Sequence, residues 1–195
     1  MIQARKLGHI VLKVRDARRS KEFYTRALGL KVAHEDYDRG AVFLSFGTQH
    51  HDLALFQLAT GEAPDATAPG LHHTAWQLGS FEELQAAYRD LQAMGIAVDS
   101  TIAHNVTRSV YFHDPDGNRV ELYCDMFEGG FAEMQTLGPR RDHLDIATGE
   151  VRGTSGAMVG PGDEKETGKF VSWIEKRRRL RYGESAAPHP RRQIC

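Results

Sequence analysis

Between Leu7 and Val14 (LGHIVLKV) the side chains follow the two-residue period of a strand, and the pattern then changes to a helical one. In DARRSKEFYTRALGL (16–30), Phe23, Tyr24, Ala27 and Leu28 fall at helical spacing, and Gly29 suits a C-terminal cap. Three strand-like runs follow at 30–37, 41–47 and 51–58. The same order then returns. LHHTAWQL (71–78) reads as a strand, Ser80 and Glu83 as a capping box, 81–94 as a helix closed by Gly95, and 96–103, 107–113 and 118–124 as strands. Asp114-Pro-Asp-Gly117 is a strong turn sequence between the last two. Leu28-Gly29-Leu30-Lys31-Val32 matches Met94-Gly95-Ile96-Ala97-Val98, and His9 and His73 stand 20 and 22 residues ahead of the two glycines. The chain therefore reads as α+β, with a first βαβββ module at 1–59, a linker at 60–70 and a second module at 71–125. Residues 126–195 form an extension. It has a loop-rich part (149–168), a short amphipathic helix carrying Phe170, Trp173 and Ile174, and a basic tail that begins with KRRRLR (176–181).

Composition narrows the function. Hydrophobic residues make up 41% of 195, enough for a packed core. The formal net charge of −1 favours neither nucleic acid nor membrane as a partner. The basic run is read as a solvated helix face or a subunit contact. No apolar run approaches the roughly 20 residues of a membrane helix, and the N-terminus lacks a signal-peptide pattern. Cys124 and Cys195 have no metal or redox spacing. A cytoplasmic setting is the expectation.

Histidine changes the picture: five of the ten lie in His50-His51, His72-His73 and His104. Strand alternation places His9 with Val11 and Lys13, and His73 with Ala75 and Gln77, on the faces opposite the helix-packing residues. This parity selects His73 over His72 as the partner of His9. On the last strand Glu121 points inward with Arg119 and Tyr123. A lone buried carboxylate is costly unless it is paired or metal-bound. Two imidazoles and one carboxylate suit non-haem Fe(II) with open positions. For each residue alone, a half-buried histidine or a salt-bridged glutamate is the plainer reading; together they form a metal triad inside a curved mixed-sheet barrel. Counting 26 residues from each capping glycine sets Leu55 opposite Glu121, so the triad has no fourth acid.

These features resemble the vicinal oxygen chelate superfamily over residues 5–125, most clearly in YFHDPDGNRVELY (111–123). LGHIVLKV, HHDLALF and LHHTAWQL further resemble the small, one-domain type I extradiol ring-cleaving dioxygenases. The resemblance implies Fe(II), with Mn(II) an alternative, held by His9, His73 and Glu121. It implies His51 beside the oxygen position, and His104 and Tyr111 hydrogen-bonded to a small aromatic diol that is cleaved with O2. Parity sets His51 with Leu53 and Leu55, inward if Leu55 matches Glu121. His50, His72, His113, His143 and His189 are left as structural or exposed. A homo-oligomer is expected, and in this superfamily modules pair within a chain or between chains. The rival readings are a glyoxalase, epimerase or fosfomycin-transferase type of enzyme, and a metal-free binding protein that sequesters drugs.

Overall fold

A computed structural model describes residues 1–63 and 69–156 of the chain. The expected helix around Phe170, Trp173 and Ile174, the basic run and His189 lie outside the described residues. Two compact units are present: Met1–His73 with His113–Arg119, and Thr74–Phe112 with Val120 onward.

The first unit is built on β1 (Ile10–Val14), α1 (Ala17–Leu28), β2 (Lys31–Asp36), β3 (Ala41–Ser45) and β4 (Leu53–Gln57). Its sheet has the order β1-β4-β3-β2, with β1 and β4 parallel and the other pairs antiparallel. Leu12 and Val14 are buried while Val11 and Lys13 are exposed, so β1 divides into the two faces its alternation requires. Asp16 caps α1 by accepting from the Arg18 and Arg19 amides at 2.8 and 3.1 Å. Gly29 ends it in the left-handed conformation (φ 68°), as its position in the sequence predicts.

The Asp114–Gly117 turn belongs to this unit and is pinned to α1. The buried Asp114 carboxylate accepts from Tyr24 Oη (2.9 Å) and from the amides of Asp116 and Asn118. Asp116 accepts from Ser20 Oγ at 3.2 Å and from the Arg15 amide at 3.3 Å, and Arg19 donates to the Pro115 carbonyl. Burial, then the Asp114 charge, pushes the Tyr24 hydroxyl well above its ordinary pKa.

The second unit repeats the plan with β5 (Thr74–Leu78), α2 (Phe81–Ala93), β6 (Val98–Ala103), β7 (Thr107–His113) and β8 (Arg119–Asp125). Again the first and last strands of the module are parallel neighbours. Ser80 Oγ accepts from the Glu83 amide (3.2 Å), while the Glu83 carboxylate reaches back to the Gly79 amide (2.8 Å), one residue short of a regular capping box.

The extension adds α3 (Phe131–Leu137), β9 (Arg141–Leu144) and β10 (Val151–Gly156), giving a six-stranded sheet of order β10-β9-β6-β7-β8-β5. Here the reading of 149–168 as loop is corrected at its start: residues 151–156 pair with β9. VRGTSG has no apolar alternation, and its strand conformation comes from the edge it joins and from a tight turn. In that turn the Asp145 carboxylate accepts from the Ala147 and Thr148 amides. The expected barrel is corrected too, since hydrogen bonding among the described residues makes two open sheets.

Candidate functional site

In the first unit, His9 stands immediately ahead of β1, exposed, one residue before the Ile10–Leu53 pair. Asp52 organises the loop that returns to it. The Asp52 carboxylate accepts from Ser45 Oγ, the Phe46 amide and Gln49 Nε2, and Gln49 Nε2 also donates to the Gly8 carbonyl at 2.9 Å. The Ile10 amide donates to the Asp52 carbonyl at 3.0 Å. These ties put the His51 ring centroid 4.3 Å from that of His9 and 5.2 Å from that of Phe43. His50, read from sequence as exposed only, also meets His51, Nδ1 to Nδ1, at 2.6 Å. Burial, then the neighbouring His9 and His50, lowers the His51 pKa, so the neutral imidazole dominates near neutrality.

Strand register corrects one correspondence. Val11 pairs with Ala54 and Ala75 with Glu121, so the repeat counterpart of Glu121 is Ala54 rather than Leu55. Leu55 pairs with Leu12, both buried. A one-residue slip in counting moves a side chain to the other face of a sheet. The parity assigned to His51 falls with it, because His51 precedes β4 and lies in irregular chain. Its ring reaches His9 through the loop that Asp52 holds. The absence of a fourth acid stands, now at Ala54.

In the second unit Glu121 on β8 is 7% exposed and Tyr111 on β7 is 4% exposed. Tyr111 Oη donates to Glu121 Oε1 at 2.7 Å, and His104 Nε2 lies 3.0 Å from the same hydroxyl. His104 sits at the β6–β7 turn, its amide donating to the Thr107 carbonyl at 2.8 Å and its Nδ1 meeting the Arg140 carbonyl at 2.5 Å. Ser109, two residues before Tyr111, buries a hydroxyl with no partner among the described residues. Burial, then Asp125 and Glu121, raises the Tyr123 pKa.

The structure therefore groups His9 with His51 and His50, and Glu121 with Tyr111 and His104. His73 lies at the end of the first unit, half-buried, its Nδ1 2.6 Å from that of His72. Among the described residues no three His, Cys, Asp or Glu side chains form a ready group for an ion. The donor types nevertheless fit one. His9 and His73 hold the same place ahead of parallel strands, and the carboxylate is buried, where a cation or hydrogen bonds must offset its desolvation. Sequence reasoning missed Asp52, Gln49 and the Arg140 carbonyl. The first two are recognisable only from the loop they close, and a backbone acceptor has no residue signature.

The first unit also carries a cleft of about 510 Å³ that includes Val11, Lys13, Arg15, Leu58 and Leu71. Val11 and Lys13 alternate with His9 along the same side of the chain, and the volume is of the size small-molecule sites have. No helix among the described residues is long and apolar enough to cross a membrane.

Residues 6–122 match the family model of the Glyoxalase/Bleomycin resistance protein/Dioxygenase superfamily. Biphenyl-2,3-diol 1,2-dioxygenase 3 of Rhodococcus globerulus is 37% identical over 154 residues, covering 73% of this chain and 80% of that protein. Biphenyl-2,3-diol 1,2-dioxygenase 2 of the same organism is 36% identical, covering 63% of this chain and 64% of that protein. The chain spans about half (54%) of the Bacillus subtilis catechol-2,3-dioxygenase, to which it is 28% identical over 83% of its own length. A glyoxalase/dioxygenase structure from Nostoc punctiforme superposes with a TM-score of 0.54 at 26% identity, covering 64% of this chain and 97% of that one. With the repeat, the strand order and these matches in agreement, the chain belongs to the glyoxalase/bleomycin resistance protein/dioxygenase superfamily.

Proposed function

We propose that the chain is an extradiol ring-cleaving dioxygenase for catechol-type or dihydroxybiphenyl-type diols, using Fe(II), with Mn(II) able to substitute. The observation that carries this reading is the His51 imidazole, its ring centroid 4.3 Å from that of His9 and its plane tilted 48° to it. A proton-exchanging group beside a ligand serves oxygen chemistry, and neither a transferase nor a metal-free binding protein requires it. The identities to two proteins named as biphenyl-2,3-diol dioxygenases support it.

His9, His73 and Glu121 would hold the metal, which supplies a Lewis acid and an electron path between diol and O2. The chain's own residues do the rest. His51, neutral through burial and its histidine neighbours, accepts and returns a proton on the oxygen side. By the resemblance, Tyr111 and His104 would hydrogen-bond the substrate oxygens; within the first unit, Val11, Leu58 and Leu71 give its cleft an apolar lining. One O2 is consumed per diol, and both of its atoms end in the ring-opened semialdehyde acid. The protein would act as a cytoplasmic homo-oligomer without nucleic-acid or membrane partners.

The test is a colour assay. Protein loaded with Fe(II) without air is mixed with air and a panel that includes catechol and 2,3-dihydroxybiphenyl. Yellow product with matched O2 uptake is expected. A tightly bound metal with neither colour nor O2 uptake would move the glyoxalase, epimerase or transferase reading to the front. The absence of any bound metal would favour the binding protein.

A further inference from the structure

We propose that the C-terminal extension is a positioning element: the Arg140 carbonyl holds His104 as its Nδ1–H tautomer and leaves Nε2 to serve the Tyr111 hydroxyl. A carbonyl oxygen can only accept, so the 2.5 Å contact from His104 Nδ1 requires the hydrogen on that nitrogen. Nε2 is then an acceptor 3.0 Å from Tyr111 Oη, whose one hydrogen goes to Glu121 Oε1 or to His104 Nε2 but not to both at once, so any proton His104 exchanges passes through that side.

The segment just beyond the repeat, which presents this carbonyl, is tied to the chain around His104 at several points. Ala103 and Ile102, the residues before His104, pair with Asp142 and His143 of β9. Asn105, the residue after it, donates from Nδ2 to the Leu137 and Gly138 carbonyls at 3.0 and 2.9 Å. Thr101 Oγ1 donates to the Leu144 carbonyl, and Arg140 Nε pairs with the buried Asp142 carboxylate at 2.6 Å. His104 is thus bracketed by residues that anchor the segment supplying its acceptor, which leads directly into β9. The first sheet ends at β2 without such a strand, and the family match ends at residue 122. The device therefore belongs to the extension and not to the repeated module. Removing the partner that orients a metal-ligating histidine commonly costs about 10–100-fold, and the low end of that range is expected for His104, which is not a ligand.

The significance of the tautomer for turnover rests on the dioxygenase reading; the tautomer itself does not. The test is long-range 1H–15N correlation on the full chain, labelled with 15N-histidine and without added iron, with His104 assigned by its loss in His104→Gln. The Nδ1–H pattern is expected for His104. An Nε2–H pattern would overturn the proposal, whatever the enzyme assay shows. Asn105→Ala, which releases Leu137 and Gly138, is expected to give mixed tautomers and a kcat/KM about tenfold lower in the iron-loaded protein. An unchanged His104 pattern in a folded Asn105→Ala variant would likewise overturn it. A retained Nδ1–H pattern in a wild-type protein without ring cleavage would refute the dioxygenase reading alone.

Discussion

The two sheets of this chain are copies with different interiors. In the first, Phe43 pairs with Ala54, and the exposed β2 forms the edge. In the second, Tyr111 donates to Glu121, and β9 and β10 extend the sheet beyond β6. Both copies keep a histidine one residue ahead of the leading strand. The repeat thus sets positions, and single residues at those positions set chemistry: an apolar pair in one copy, a buried acid and its hydroxyl donor in the other. On the proposed metal reading, that asymmetry would leave the duplicated modules with three ligands instead of four.

The largest expected effect lies at the residue where the copies differ most. Glu121→Ala should lower turnover at least about 10³-fold, the scale of several kcal/mol lost from a metal-assisted step, read as O2 uptake with diol. The reverse experiment, Ala54→Glu, places an unpaired carboxylate at a fully buried position. It should destabilise the fold by about 3–5 kcal/mol in urea unfolding, and a smaller loss would show that the first unit can tolerate a second acid. His51→Gln should cut kcat about 100-fold while leaving iron content unchanged; equal losses of both would show that His51 is misassigned. The smallest effect concerns the pinned turn. Tyr24→Phe removes one donor to buried Asp114 and should cost about 1–3 kcal/mol. The folded Tyr24 pKa is raised, so its contribution is complete below the unfolded value near 10 and is lost as pH rises beyond it. Alkaline unfolding should therefore be shallower in Tyr24→Phe than in the parent.

The repeat, both helices and their glycine ends could be read from the chain because each depends on local periodicity and capping. The strands of the modules follow the same rule to within a few residues. β10 could not, since its pairing is decided by the edge it meets. The face of Glu121 was readable, but its counterpart was not. Counting from the capping glycines crosses loops of unequal length, and Leu55 stood in for Ala54. His51 meets His9 by a route that parity did not give, because a loop tied by Asp52 and Gln49 carries its ring there. The Arg140 carbonyl was invisible for a simpler reason, as any residue can present it.

The most direct test of the central proposal, that His9, His73 and Glu121 would hold one ion, is an anaerobic Fe(II) titration. It compares the parent with His9→Ala, His73→Ala and Glu121→Ala, each checked for folding by circular dichroism. One tightly bound ion per chain in the parent, and weakened binding in every variant, is the predicted result. Full-affinity binding in all three folded variants would contradict the account.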